Sequence, residues 1–305
     1  NPPGHPITHM GGLHDEPVRD NFAEWAIWFV EPRGDKAKLI AVLQVIHGLQ
    51  AYFDESGIHD DAPICVLAGF VGTAGEWERF NALWGENAGS PGFHAVEFFK
   101  RDSSGACVSS TYPAWNPQKA RVFLDDMLTA IENTQITALG AAIDVAAFNG
   151  YTEEERRILT GAIQVAGKWR LTGVPSKPYY IPFQFVILKS VSCLERNDSK
   201  VHFVFDLQTK FAPYAVQMYA QMRKPEHCDV AEQLGQISFV SRFEAPPLQA
   251  ADLITHCWYR LLVNGPRGIT KEMKKATDVF TKKGKALSFF DKEAMDRLLL
   301  GNIHV

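Results

Sequence analysis

Two apolar stretches of this chain each end on an aspartate: Ala51, Tyr52 and Phe53 run into Asp54, and Phe203, Val204 and Phe205 run into Asp206. Aspartate is a poor strand residue, and taking an unpaired carboxylate out of water is expensive. Two such strands constrain the fold, because their ends must meet something that compensates the charge: a cation, a basic partner or a hydrogen-bonded turn. A metal ion satisfies both carboxylates at once. For Asp54 alone, the following Glu55, Ser56 and Gly57 also suit an ordinary turn, but that reading explains the pair less well.

A third acid belongs with these two. In the run Leu248-Gln249-Ala250-Ala251-Asp252-Leu253-Ile254, Pro246 and Pro247 open a helix that Gly265 and Pro266 close. The i, i+3 spacing puts Gln249 and Asp252 on one helical face, and Leu248, Ala251, Ile254, Trp258 and Leu261 form the neighbouring apolar stripe. Asp252 thus lies at the edge of the buried face, able to point at the strand ends. His256, flanked by Cys257 and Trp258, reads as a packing residue rather than a ligand. Glu97, in the apolar segment 93–99, offers either a further carboxylate or a solvent-facing strand residue. Asp125 and Asp126 read as a solvated pair.

Periodicity places these residues in an α/β chain. Residues 49–57 and 64–72 read as the first strands of a meander, Glu76–Trp84 as a helix, 93–99 as a short strand or extended segment, Pro117 to about Asn133 as a helix, and 135–148 as a strand. A mostly helical insertion follows at about 149–180, then a buried helix ending near Asn197, a strongly alternating strand at 201–211, a helix from Pro213 to Arg223 and a strand at 237–241. Residues 1–46 are expected to be an N-terminal extension. Its first 20 residues, rich in Gly, Pro and His, should be disordered, and the apolar clusters at 22–31 and 38–46 are ambiguous between helix and strand. The central domain is expected over 47–264, with a basic helical tail over 265–305.

Composition narrows the function. The 305 residues carry 31 basic and 35 acidic side chains, a net charge of -4, which argues against a surface coated in positive charge for nucleic acid. The charge is uneven, however. Between 265 and 287, Arg267, Lys271, Lys274, Lys275, Lys282, Lys283 and Lys285 stand against Glu272 and Asp278, a local net of +5 that leaves the rest near -9. Such a tail suits phosphate contacts beside an acidic site, giving RNA or DNA as an expected partner, although a solvated helix face explains it equally well. Lys168, Trp169 and Arg170 have the residue types for backbone contact and base stacking, or simply pack a Trp onto the core. The five scattered cysteines lack zinc spacing, and no apolar run reaches the roughly 18 residues of a membrane span. A cytoplasmic protein with reduced thiols is expected. No P-loop, HExxH, GxSxG or dinucleotide glycine motif occurs.

The DESG turn after an early strand, the apolar strand ending in Asp206, and LQAADLI in a late helix together resemble the bacterial family known as domain of unknown function 3800, over roughly residues 49–263. The resemblance implies a ribonuclease H-like fold, in which carboxylates from the first strand, a central strand and a late helix meet at one end of a mixed sheet flanked by helices. It matches Asp54, Glu55, Asp206, Gln249 and Asp252 to the family's acidic and QxxD positions, and Glu97 to a polar segment. Oxygen ligands of this kind hold Mg²⁺ or Mn²⁺, and two such ions suit phosphodiester hydrolysis. Asp54, Asp206, Asp252 and Glu97 are then the metal ligands, and Asp54, Glu55, Asp206, Asp252 and Gln249 the catalytic set. The expected activity is a metal-dependent nuclease. The alternatives are a hydrolase of small phosphate esters and a non-catalytic metal- or protein-binding module.

Overall fold

The computed structural model describes residues 48–300, apart from residues 60, 89–91, 114, 166–167, 172–173, 196–198 and 285–286. The expectations for residues 1–46 lie outside the described residues.

The first two strands form as expected from their apolar runs: β1 (Gly48–Ser56) and β2 (Ile64–Thr73) are antiparallel, with Asp54 opposite Ala68. Gly57, at φ +76°, makes the turn out of β1; a Cβ there would lie 2.0 Å from the Ile64 carbonyl oxygen, so only glycine fits. After helix α1 (Ala74–Ala88), the segment expected to be a third short strand is instead the one-turn helix α2 (Ala95–Phe98). Period alone does not separate the two states over four residues.

Helix α3 (Pro117–Glu132) starts as expected, with Pro117 in its first turn and the Asn116 side chain accepting from the Lys119 N–H at 2.8 Å. Strand β3 (Thr137–Asp144) extends the meander antiparallel to β2. The insertion is helical only in its first part: α4 (Val145–Asn149) and α5 (Glu153–Gly161) lead into an antiparallel hairpin of β4 (Ala162–Val165) and β5 (Lys168–Leu171), which contains Trp169. Helix α6 (Tyr180–Val191) and strand β6 (Lys200–Asp206) follow, then α7 (Ala212–Met222), β7 (Leu234–Val240) and the 19-residue helix α8 (Pro246–Asn264).

The described part of the segment expected to be a basic helical tail belongs to the same compact unit as the other described residues from Gly48 onward. Helix α9 (Lys271–Lys283) buries Met273, Ala276, Val279 and Phe280; β8 (Ser288–Phe290) pairs parallel with β3, and α10 (Lys292–Leu299) is the last element among the described residues. Several of its charges are engaged internally. Lys275 pairs with Asp125 at 2.8 Å, and Lys283 donates to the carbonyls of Glu132 and Thr134 at the end of α3.

The chain is thus α/β, with one mixed six-stranded sheet ordered β7-β6-β1-β2-β3-β8 and helices on both faces. Alternation along the strands sorts two cores. Tyr52, Val66, Ala68 and Phe70 face α1, α3, α8 and α9, while Ala51, Phe53, Cys65 and Leu67 face α6 and α7. Among the described residues, no helix is long and apolar enough to cross a membrane.

Candidate functional site

Strand register builds the site. β1 and β6 run parallel with Phe53 opposite Phe205, so the next residues, Asp54 and Asp206, emerge side by side at the carboxyl ends of neighbouring strands. Both continue the face that carries Tyr52 and Val204, the face covered by α8. That helix is tied to the sheet by Thr255, whose Oγ1 lies 3.2 Å from the Asp54 carbonyl oxygen and 3.1 Å from that of Ala68. One turn before Thr255, Asp252 reaches the same strand ends. All three aspartates are buried, at 1%, 7% and 4% exposure for Asp54, Asp206 and Asp252.

The residue on which they converge is Arg242, in the loop between β7 and α8. Its Nη1 lies 3.4 Å from Asp54 Oδ2 and 3.0 Å from Asp252 Oδ2, and its Nη2 donates to Asp206 Oδ2. Main-chain donors hold the other oxygens of Asp54 and Asp206, Glu55 N–H to Asp54 Oδ1 at 2.9 Å and Arg242 N–H to Asp206 Oδ1 at 2.9 Å, while Ala95 N–H donates at 2.7 Å to the same Asp252 Oδ2 that faces Arg242. The charge that the strands had to compensate is therefore met in part by a basic partner and by backbone turns. Sequence reasoning missed Arg242. The signal was present as a lone basic residue just beyond β7, which pairs with β6 and places its own end beside Asp206.

One guanidinium does not neutralise this cluster. Burial raises the Asp54 pKa well above the usual carboxylate range; Arg242 offsets part of that rise, and Glu55, Asp252 and Asp206 add to it. Burial also works against the charge on Arg242, but Asp54, Asp252 and Asp206 outweigh it and hold the guanidinium protonated. At a few ångströms, each like-charge pair costs about 4 kcal/mol at an effective dielectric near 20. Burial and the neighbouring acids thus favour the protonated form of Asp54.

Glu55 sits on the other side. As the next residue along β1 it faces the Cys65 and Phe53 side of the sheet, and its Oε1 accepts from Gln208 Nε2 at 3.3 Å. Burial, followed by the Asp206 charge, pushes its pKa up to about 7. Asp54 Oδ2 and Glu55 Oε2 are buried oxygens without a hydrogen-bond partner among the described residues.

The other expected site residues play different parts. Gln249 is buried, but its Oε1 accepts from Trp84 Nε1 at 3.0 Å and Phe93 N–H at 2.9 Å, while its Nε2 donates to the Arg242 carbonyl at 3.1 Å. It brackets α1, the entry to α2 and the Arg242 loop. Glu97, half-buried on α2, makes no hydrogen bond or ion pair with the three aspartates. His256 stacks on Phe99 with ring centroids 5.4 Å apart, and burial lowers its pKa to about 4, the behaviour of a packing residue.

The donor chemistry, buried carboxylate oxygens at the strand ends, fits a hard divalent cation. The arrangement is not an assembled centre, because among the described residues no three His, Cys, Asp or Glu side chains already surround a common point for an ion. Arg242 fills the place where the aspartates converge. No protein-family model and no curated protein matches this chain.

Proposed function

We propose that this chain is a divalent-cation-dependent phosphodiester hydrolase of ribonuclease H-like fold, with its active site at the carboxylate cluster. The observation that carries the reading is the charge imbalance: three buried carboxylates, Asp54, Asp206 and Asp252, meet a single arginine. The family resemblance supports it, since acids from an early strand, a central strand and a late helix meet at one end of the sheet. So does the position, at the carboxyl ends of parallel strands where α/β folds place ligands.

Asp54, Asp206 and Asp252 would hold Mg²⁺ or Mn²⁺, with Glu55 adjacent in sequence but on the opposite face of β1. When bound, such an ion supplies an activated water and charge stabilisation at the leaving oxygen. The chain's own groups do the rest. The main-chain donors of Glu55, Arg242 and Ala95 fix the aspartates before any ligand arrives. Glu55, with a pKa near 7, takes or gives a proton at Oε2 at neutral pH, and Gln208 orients it through Oε1. Arg242 offers a guanidinium suited to a phosphate oxygen.

Arg242 also favours a second reading. A cluster already bound to its own cation can be a structural node of a non-catalytic module. Cleavage of labelled single-stranded and duplex RNA, DNA and hybrid substrates with Mg²⁺ or Mn²⁺ separates the two. The hydrolase reading requires cleavage that Asp54→Asn and Asp252→Asn abolish. No cleavage above those variants by folded wild-type protein sinks it in favour of the module.

A further inference from the structure

The guanidinium of Arg242 stands where a bound cation would stand. Its Nη1 lies 3.0 Å from Asp252 Oδ2 and 3.4 Å from Asp54 Oδ2, and its Nη2 donates to Asp206 Oδ2. An ion such as Mg²⁺, held by the same three carboxylates, needs their oxygens at about 2.1 Å from one centre. That centre lies among the oxygens the guanidinium now spans. The two cations would compete for the same lone pairs and repel each other, so they cannot be seated together.

The guanidinium serves the three acids unevenly. It is planar, with donors in fixed directions. It makes a hydrogen bond to Asp206, but Asp54 Oδ2, on the most deeply buried of the three, has the ion pair at 3.4 Å and no hydrogen bond. A metal ion has no donor directions to satisfy and brings twice the charge. The side chain is also free to leave without its loop. The Arg242 N–H donates to Asp206 Oδ1 at 2.9 Å, which leaves Oδ2 for a ligand; the Arg242 carbonyl accepts from Gln249 Nε2 at 3.1 Å, and the Glu244 N–H closes the turn on the Ser241 carbonyl at 2.8 Å. These bonds hold the main chain wherever the guanidinium lies. The arginine side chain is 19% exposed and the next residue, Phe243, is 63% exposed, so the outer side of the loop opens to water.

We propose that Arg242 is a resident counter-ion that gives way to a divalent cation, the two being alternative occupants of the aspartate cluster, and that the released guanidinium turns to the rim of the site to hold a substrate phosphate. Pinned by its main chain, the guanidinium stays within one side-chain length of the carboxylates, and its fork of donors matches phosphate oxygens. The exchange couples the two binding events. Seating the ion frees the arginine for phosphate, and phosphate that keeps the arginine at the rim disfavours its return, so each raises the affinity for the other. In cation-free protein the arginine compensates the aspartates and occupies the site. The inference rests on the hydrolase reading for the nature of the ion and the substrate, and adds to it the means by which the site is switched.

Labelling of the full wild-type chain with an arginine-directed dicarbonyl reagent, read at Arg242 by peptide mass with and without Mg²⁺ or Mn²⁺, tests it. The paired guanidinium should react slowly in cation-free protein and at least about fivefold faster with the ion, as the population shifts to the released state. In Asp54→Asn the rate should no longer depend on the ion. Calorimetric titration with Mn²⁺ gives a second reading: Arg242→Leu should bind at least about tenfold more tightly than wild type, because no competitor has to be expelled. Lys275→Gln, which removes a cation paired with Asp125 on α3 instead, should bind as wild type does. The labelling uses wild-type protein and decides the question even where Arg242→Leu fails to fold. Arg242 labelling that the ion leaves unchanged or slows, or Mn²⁺ affinities of wild type and folded Arg242→Leu within about twofold of each other, overturns the proposal. Ion-dependent release of Arg242 without cleavage of any substrate leaves the exchange standing and removes the hydrolase reading; cleavage by protein whose Arg242 labelling the ion does not change removes the exchange alone.

Discussion

Replacing Arg242 with leucine tests how the aspartate cluster is held together. The guanidinium is about one-fifth exposed, and it is the cation shared by Asp54, Asp206 and Asp252, whose side chains are a tenth exposed or less. Removing one partner of a buried pair costs about 3–5 kcal/mol, because the other charge stays behind. Here three carboxylates stay behind, so the upper part of that range is expected, roughly a 10 °C fall in Tm for a chain of this size. The loss must depend on pH. Burial already raises the folded-state pKa of Asp54 above its unfolded value, and without the arginine it rises further, so the folded state binds more protons than the unfolded state as pH climbs through the interval between them. Stability then falls with rising pH. Thermal melts at pH 5 and pH 8 should therefore show a small deficit at the lower value and a large one at the higher. A Tm within about 2 °C of wild type at pH 8, or equal deficits at both pH values, would refute the reasoning.

Three further outcomes are expected. Glu55→Gln should flatten the wild-type stability profile between about pH 4.5 and 7: the folded pKa of Glu55 is raised to about 7, so its contribution is intact below the unfolded pKa and lost as pH rises through the folded one. The difference is on the order of 3 kcal/mol by linkage and is read from denaturant melts across that range. Gln249→Leu leaves the Trp84 indole and the Phe93 N–H without their acceptor and the Arg242 carbonyl without its donor. It should cost about 2–4 kcal/mol and shift the emission of Trp84. Gly69→Ala would place a Cβ 1.8 Å from the Tyr52 carbonyl oxygen in the β1–β2 ladder; since neither strand can give way, expression of folded protein should be lost or stability should drop by more than about 4 kcal/mol.

The aspartates were legible because each breaks a local rule. An acid at the end of a buried strand, or at the edge of an apolar helical stripe, stands out against the pattern around it, and register then brings Asp54 beside Asp206. Arg242 was not legible for the opposite reason. It lies in the irregular segment Ser241–Ala245, where no periodicity marks a direction, and only the pairing of β7 with β6 shows where it points. The C-terminal segment was hidden by its charge: seven basic residues drew attention from Met273, Ala276 and Phe280, which recur at helical spacing and bury against the sheet. The three-residue strand β8 and the four-residue strands β4 and β5 are too short for alternation to separate from loop. For Gln249 the spacing specifies a helical face shared with Asp252, but not that Trp84, Phe93 and the Arg242 carbonyl lie across from it.

The central claim is that the carboxylate cluster accepts a divalent cation, and calorimetric titration of the folded chain with Mn²⁺ and Mg²⁺ addresses it most directly. Saturable binding to wild type that disappears in Asp54→Asn and in Asp206→Asn, and that tightens in Arg242→Leu as the resident cation is removed, is the expected result. No saturable heat with wild type and Arg242→Leu, or equal binding by Asp54→Asn, would contradict it and leave Arg242 as the cluster's only cation.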